Sequence, residues 1–192
     1  MIGLGDKNAH LIVYIENKPP LDFYQNLNEI KAMKKGEIKL IGDQTGNHWR
    51  KIFNVFAKLY FEINSHNYNR WQTLRDEFLL QQNSSLLLAF SPPIFSQNAF
   101  STKDKLTKEF TAQFTQQLTQ QAKTTEPTIH LIMGKGYASK LALEDKVFWL
   151  NEYFAINEAK KLIICPYFDY RQLSNIKITQ LCCWITNMQK QK

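Results

Sequence analysis

In LIICPYFDYRQLSN, residues 162–175, an apolar run leads directly into a cluster of aromatic and charged residues. The first four residues of this stretch are apolar and include two β-branched isoleucines, which is typical of a strand buried on both faces of a sheet. The chain then runs almost directly into Tyr167, Asp169, Tyr170 and Arg171. Such a concentration of aromatic and charged groups predicts either a loop that caps the fold or one wall of a binding site.

Three further apolar runs predict strands of the same kind, with helical segments between them. They are HLIVYIE (His10–Glu16), SLLLAFS (Ser85–Ser91) and TIHLIMG (Thr128–Gly134). Apolar strands that alternate with helices predict a parallel sheet covered on both faces. We therefore expect a single α/β domain over residues 1–192, with three α/β/α layers and a central, mainly parallel sheet of four strands.

The helices are predicted from apolar residues that recur at helical intervals. The strongest pattern is the broad apolar stripe of His48–Ile63, which predicts a helix facing the core. The other predicted helices span about Leu21–Lys34, Tyr68–Leu80, Leu106–Leu118 and Ile176–Met188. IKLIG (Ile38–Gly42) predicts a short extra strand, and KVFWLNEYFAI (Lys146–Ile156) is compatible with either helix or strand.

The charge of the chain favours anionic partners. The formal net charge is +7 and the sequence pI is near 9.2, which suits nucleic acid, phosphate-bearing ligands or acidic proteins. Most of the 24 basic residues are lysines, and the arginines are Arg50, Arg70, Arg75 and Arg171. Lysine is a flexible point charge, so the surplus suits sequence-independent attraction better than base reading. A merely solvated, lysine-rich surface is the alternative.

The cysteines, the histidines and the lack of nucleotide-binding motifs limit the class of protein that the sequence predicts. The three cysteines lack CxxC spacing and indicate reduced, buried thiols, and hence a cytoplasmic protein. The four histidines are scattered and show no metal-ligand spacing. No GxGxxG or P-loop motif is present, so we expect no nucleotide cofactor. We expect no secretory signal and no membrane span either.

A ligand site is expected beyond the carboxyl ends of the parallel strands. The loops that leave those ends are IENKPP, FSPPIFS, GKGYAS and CPYFDYR. In the first loop, Glu16, Asn17 and Lys18 are candidates to position water or a polar ligand, or else they cap the next helix. Ser91 is the candidate ligand-binding residue of the second loop.

The third and fourth loops add candidates for binding an anion. GKG places Lys135 between two glycines, which favours either an anion site or a tight strand-to-helix turn. In the fourth loop, Tyr167, Phe168 and Tyr170 offer stacking surfaces, and Arg171 offers a partner for phosphate or carboxylate. Asp169 is a ligand-binding candidate, or else it simply pairs with Arg171.

The order of these segments resembles the uracil-DNA glycosylase superfamily, whose members have a small parallel sheet with active-site loops after its strands. Residues 85–118 resemble the family's apolar strand, polar loop and long helix. IHLIMGKGYASKL (residues 129–141) resembles its strand, glycine, Tyr-Ala and helix. IICPYFDYRQLS (residues 163–174) falls where the family carries a strand, His-Pro-Ser and a leucine-bearing loop that probes DNA.

The resemblance implies binding of nucleic acid or a nucleobase-like ligand, with altered chemistry. Cys165-Pro166-Tyr167 replaces His-Pro-Ser, and Ala89 lies about where many relatives place the asparagine that reads uracil. Each lost donor corresponds to about 2.7–4 kcal/mol of transition-state stabilisation. Glu16 or Asn17 is left as the candidate water-positioning group. We therefore expect a glycosylase-like scaffold that is inactive on uracil or acts on another substrate.

Two other functions fit the same sequence. The aromatic content of 13% suits a non-catalytic protein-interaction module, which would use an aromatic surface. A small-molecule enzyme with Glu16 as general base is the third possibility. The sequence leaves the oligomeric state open.

Overall fold

The computed structural model describes residues 1–66, 68–94 and 127–190. These residues form one sheet of eight strands and six α-helices. The strands are β1 (Gly3–Gly5), β2 (Leu11–Tyr14), β3 (Ile30–Lys31), β4 (Leu86–Ala89), β5 (Ile129–Met133), β6 (Phe148–Trp149), β7 (Ala155–Asn157) and β8 (Leu162–Cys165). The helices are α1 (Asp22–Gln25), α2 (Glu37–Thr45), α3 (Asn47–Ile63), α4 (Trp71–Glu77), α5 (Lys135–Lys140) and α6 (Asn175–Lys190).

The centre of the sheet consists of the four strands expected from the sequence. The sheet order is β3-β1-β4-β2-β5-β8-β7-β6, and β4, β2, β5 and β8 run parallel to one another. Of these four strands, β2 comes first in the chain, and β4, its neighbour on one side, comes second. The chain then crosses to β5 and β8 on the other side of β2. The strand order therefore reverses between β2 and β5, which is where open α/β sheets bind ligands.

The α/β class is confirmed, but a sheet of only four strands is wrong. β1 lies antiparallel to β4 and carries β3 beyond it, while β7 and β6 add an antiparallel hairpin next to β8. β1 could not be predicted from an apolar pattern, because it is only three residues long and two of them are glycines. Those glycines allow close approach to β4: a Cβ atom on Gly3 would lie 2.5 Å from the Leu88 carbonyl oxygen.

The central strands are buried on both faces, as their unbroken apolar runs predicted. Val13, Leu131 and Ile163 belong to the main hydrophobic core, and Ile132 and Ile164, which point to the opposite face, are fully buried too. The apolar stripe of α3 is confirmed as part of the core. This helix also contacts α2, α4 and α6 and so forms the centre of the helical layer on that face.

Several predicted elements need correction. IKLIG forms part of α2, because Ile38 and Ile41 are buried one helical turn apart while Leu40 is half exposed. The expected helix over Leu21–Lys34 is only the short α1, followed by β3, since Asn26 and Asn28 interrupt it with poor helix formers.

Other predicted elements agree more closely. The Lys146–Ile156 segment is the β6–β7 hairpin, α4 ends at Glu77, and the closing helix is confirmed as α6. The helix expected over Leu106–Leu118 lies outside the described residues.

The chain divides into two compact units. One comprises Met1–Pro93 and Pro127–Lys192, and the other is Ile94–Glu126. Every feature discussed below belongs to the first unit, and the single-domain expectation stays a prediction. Among the helices of the described ranges, none combines the length and apolar character needed to cross a membrane.

Candidate functional site

The carboxyl ends of β2, β4, β5 and β8 meet at one side of the sheet, which we call the carboxyl edge. The four loops singled out in the sequence leave the sheet there. The tip of the β6–β7 hairpin, residues 150–154, lies at the same edge, because Ala155 pairs with Ile164 near the end of β8. The carboxyl edge therefore collects side chains from five segments of the chain.

Tyr167 follows β8 at this edge and packs against the segment that leaves β5. Its ring packs next to Gly134, where an added Cβ atom would lie 3.6 Å from the Tyr167 Cδ2 atom. The ring also stacks on His48, with the centroids 5.6 Å apart, and the hydroxyl oxygen lies 3.0 Å from His48 Nε2. Burial, together with the nearby Asp169 carboxylate, raises the pKa of Tyr167 to about 12. The hydroxyl thus stays neutral and able to hydrogen-bond at neutral pH.

His48 is a site residue that the sequence did not reveal. It lies in the first turn of α3, 119 residues before Tyr167. No local spacing connects the two residues, so their contact depends on how α3 packs beside β8. The neighbouring helix thus supplies an imidazole next to the loop whose sequence lacks a histidine.

Asp169 ties its loop to α3. Its Oδ2 atom accepts a hydrogen bond from Lys51 Nζ at 2.7 Å, and its Oδ1 atom accepts one from the Arg171 backbone N–H at 3.0 Å. Lys51 and Asp169 retain only 17% and 21% of their side-chain exposure, so the ion pair is largely shielded from solvent. These two hydrogen bonds, Lys51 first, lower the pKa of Asp169. The sequence offered Arg171 as a partner of Asp169. In the structure Arg171 contributes its backbone N–H group, and the cation paired with Asp169 is Lys51.

Tyr170 is the most exposed aromatic side chain of this loop, with 53% of its surface accessible, whereas Phe168 is fully buried in the core and offers no stacking surface. Lys51 Nζ lies 5.0 Å from the centroid of its ring, and the Arg171 guanidinium carbon lies 5.9 Å from it. Both cations are within the range of cation–π attraction. The result is an accessible ring flanked by two positive charges.

In the first loop, Glu16 faces the carboxyl edge, whereas Lys18 fastens the backbone of the following segment. Glu16 accepts a hydrogen bond from Lys140 of α5 at 2.5 Å, and both side chains are exposed. Lys18 turns back and donates to the backbone oxygens of Gln25 and Leu27, at 2.9 Å each. Lys18 therefore secures the chain after α1. Asn17 is exposed.

Glu16 and Tyr167 lie on either side of the segment that joins β5 to α5. Glu16 contacts Lys140 near the end of α5, whereas Tyr167 contacts Gly134 just before that helix. The two residues follow β2 and β8, which both pair with β5. The first and fourth loops therefore flank a common segment.

The other candidates make contacts at the same edge. Lys135 Nζ lies 4.6 Å from the centroid of a Trp149 ring in the β6–β7 hairpin. The Ser91 hydroxyl accepts a hydrogen bond from the Ile2 backbone N–H at 3.1 Å, which fastens the start of β1. Lys135 thus extends the basic, aromatic surface, while Ser91 serves the packing of the sheet.

Cys165 has no nucleophilic character in this fold. Its side chain is fully buried, and its Sγ atom lies 3.6 Å from the Ile132 backbone oxygen. Burial in apolar surroundings raises the pKa of this thiol well above its usual range. Cys165 is therefore a core residue.

These features define an α/β protein with a basic, aromatic-lined carboxyl edge. The chain belongs to a family of unknown function (DUF6942), whose model matches residues 2–122 and 103–186. No curated protein and no solved structure matches the chain.

Proposed function

We propose that this protein binds nucleic acid through its carboxyl edge. The observation that carries the proposal is Tyr170, an accessible ring next to the exposed Arg171 side chain. A ring of this kind stacks on a nucleobase, and the neighbouring guanidinium neutralises an adjoining phosphate, whereas the Lys51 charge is already paired with Asp169. The net charge of +7 attracts a polyanion to the molecule as a whole.

The fixed geometry of the fourth loop supports the same role. The Lys51–Asp169 ion pair and the Tyr167–His48 contact hold the loop against α3 from two sides. A loop held in one conformation loses little conformational freedom on binding. Tyr170 is therefore presented on a rigid support, while Arg171 remains exposed at the surface.

The proposal includes a glycosylase-like scaffold with three layers. The parallel centre of the sheet and the reversal of strand order between β2 and β5 support it, because the segments that carry the resemblance then leave one edge. Base excision requires a positioned water and a donor to the departing base. Ala89 and Cys165 are buried, so neither reproduces the missing donors. The proposed function is therefore binding, without excision of uracil.

Glu16 as the general base of a small-molecule enzyme is less well supported. Its carboxylate is paired with Lys140, which competes for the lone pairs that a base would use. Both side chains are exposed to solvent. Phosphate and base binding at the opposite end of the edge uses groups that remain accessible.

A titration of a short fluorescent oligonucleotide, followed by anisotropy, tests the proposal. The wild-type protein should bind at low salt and release the probe as salt rises. Arg171→Gln should weaken binding and reduce the slope of log K against log salt by about 0.7 for a single strand or 0.9 for a duplex. If neither single- nor double-stranded DNA binds at low salt, the proposal is wrong.

Lys35→Gln provides the matched control because it removes the same charge elsewhere. Lys35 follows β3, which runs antiparallel to β4, so this lysine lies away from the carboxyl edge. Its side chain is 75% exposed and pairs with Glu77 at the surface. We expect the salt slope to remain at the wild-type value. An equal effect of both variants would indicate diffuse attraction by net charge and contradict a defined site.

A further inference from the structure

We infer that the nucleic acid bound at the carboxyl edge is single-stranded, DNA or RNA, and that the β6–β7 hairpin forms the second half of the binding surface. This inference rests on the proposed function and adds the class of ligand. It comes from a part of the edge that lies outside the four sequence-derived loops. The hairpin tip brings one exposed aromatic side chain, Tyr153, next to the fourth loop.

The hairpin tip is joined to the fourth loop by one lysine. Lys177, in the first turn of α6, has its Nζ atom 3.2 Å from the centroid of the Tyr153 ring. The same Nζ atom donates a hydrogen bond to the Gln172 backbone oxygen at 3.1 Å. Gln172 is two residues beyond Tyr170. The surface around Tyr170 therefore continues, through Lys177, to the tip of the hairpin.

The tip itself is held in a defined conformation. Asn151 Oδ1 accepts hydrogen bonds from the backbone N–H groups of Tyr153 and Phe154, at 2.9 and 3.0 Å. Phe154 is fully buried, and its ring packs on Trp184 of α6 with centroids 4.7 Å apart. Tyr153, by contrast, keeps 42% of its surface exposed. A rigid turn thus presents this tyrosine to solvent.

A recurring arrangement follows from these contacts, in which an aromatic ring lies beside a basic side chain. It occurs three times along the carboxyl edge, in Tyr170 with Arg171, Tyr153 with Lys177, and Trp149 with Lys135. Rings with adjacent cations provide the two kinds of contact that a nucleic acid strand needs, because each of its bases is joined to a phosphate. The positive charges complement the backbone, and the rings complement the bases.

Stacking on side chains requires bases that are not already stacked in a duplex. In double-stranded DNA the faces of the bases are covered by their neighbours, and proteins read the grooves through hydrogen bonds. The carboxyl edge offers ring faces and lysine charges instead. This chemistry suits a flexible single strand whose bases can turn outward.

The test compares a single-stranded oligonucleotide with a duplex of the same length. Each strand of the duplex then carries the same backbone charge as the single strand. Anisotropy titrations with oligo-dT, oligo-rU and a fluorescent duplex should give at least about tenfold tighter binding of a single strand. The dT and rU arms show whether DNA or RNA is preferred. Tyr153→Ala should weaken single-strand binding by about tenfold, whereas Tyr153→Phe, which keeps the ring, should retain it.

A second pair of variants distinguishes loss of the Lys177 contact from the loss of one positive charge on α6. Lys177→Gln should weaken single-strand binding, whereas Lys190→Gln on the same helix should not. Lys190 lies at the far end of α6, near Met188, whose backbone oxygen accepts a hydrogen bond from Lys161 just before β8. This control therefore loses the same charge at the opposite edge of the sheet.

The outcomes distinguish this inference from the proposed function. Duplex binding as tight as single-strand binding would overturn the inference, as would unchanged binding by both Tyr153→Ala and Lys177→Gln. In either case a loss of binding in Arg171→Gln would leave the proposed function standing. Absence of binding to all three probes would overturn both.

Discussion

At the residue scale, Gly134 makes the turn from β5 into α5 that lies beside Tyr167. It joins β5 to α5 with φ +93° and ψ 134°, a backbone conformation that side-chain-bearing residues rarely adopt. Tyr167 packs beside it at ordinary van der Waals distance from a hypothetical Cβ atom. Glycine is therefore required here by its backbone angles more than by lack of space.

Gly134→Ala should lower the free energy of unfolding by about 1–3 kcal/mol, because alanine would be strained at this positive φ. Gly136→Ala is the matched control. Gly136 lies inside α5 with open space around its Cα atom, so alanine there should raise stability by about 0.5–1 kcal/mol. Urea denaturation followed by circular dichroism measures both variants. Equal stability of the two would contradict the role assigned to the Gly134 backbone.

Single residues also show what the sequence could predict of the site. Tyr167, Asp169 and Arg171 stood out because they directly follow an apolar strand. Their partners His48 and Lys51 did not, since each lies more than a hundred residues away in sequence and meets the loop only through packing of α3. The amphipathic pattern of α3 predicted its buried face but carried no information about these polar neighbours.

At the scale of elements, the Lys51–Asp169 ion pair connects α3 to the loop after β8. The pair is largely shielded from water, and the carboxylate also accepts the Arg171 backbone N–H. Hydrogen bonds to charged groups of this kind stabilise a fold more than exposed ion pairs do. The loop that presents Tyr170 should therefore depend on the charge of Asp169.

Asp169→Asn should lower the free energy of unfolding at neutral pH by about 1–2 kcal/mol. Because the pKa of Asp169 is lowered in the folded protein, its stabilising contribution is present above the unfolded-state pKa of about 3.9. That contribution is lost as the pH falls through the lower folded-state pKa. Urea titrations over a range of pH should therefore show the difference between wild type and variant shrinking in acid.

The exposed Asp145 provides the control for this prediction. Asp145→Asn should change stability by less than about 0.5 kcal/mol at neutral pH, as is usual for surface substitutions. A difference for Asp169→Asn that stays constant down to strongly acidic pH would show that its carboxylate charge does not stabilise the loop.

Elements differed in how readily the sequence predicted them. β2, β4, β5 and β8 were evident because strands buried on both faces are apolar at every position. The outer strands have two or three residues each, too few for any periodicity to emerge. IKLIG was assigned to a strand on its apolar content alone, although Ile38 and Ile41 have the spacing of one helical turn.

At the scale of the whole molecule, the protein combines a parallel sheet with a positive net charge. The parallel strands bring distant loops to one edge, and two of those loops and a neighbouring hairpin place lysine or arginine beside aromatic rings. The sequence predicted the charge and the convergence of the loops. It could not predict the hairpin's contribution, because residues 146–156 were compatible with either helix or strand and the position of Tyr153 at the carboxyl edge was therefore undefined.

Photo-cross-linking tests most directly whether nucleic acid lies on the carboxyl edge. A single-stranded oligonucleotide containing 5-bromodeoxyuridine would be irradiated with the protein, digested with trypsin and mapped by mass spectrometry. The fourth loop falls in one tryptic peptide, Leu162–Arg171, which contains Tyr170. We expect cross-links on this peptide, abolished by Tyr170→Ala. Cross-links that fall elsewhere and spare Leu162–Arg171 would contradict the account.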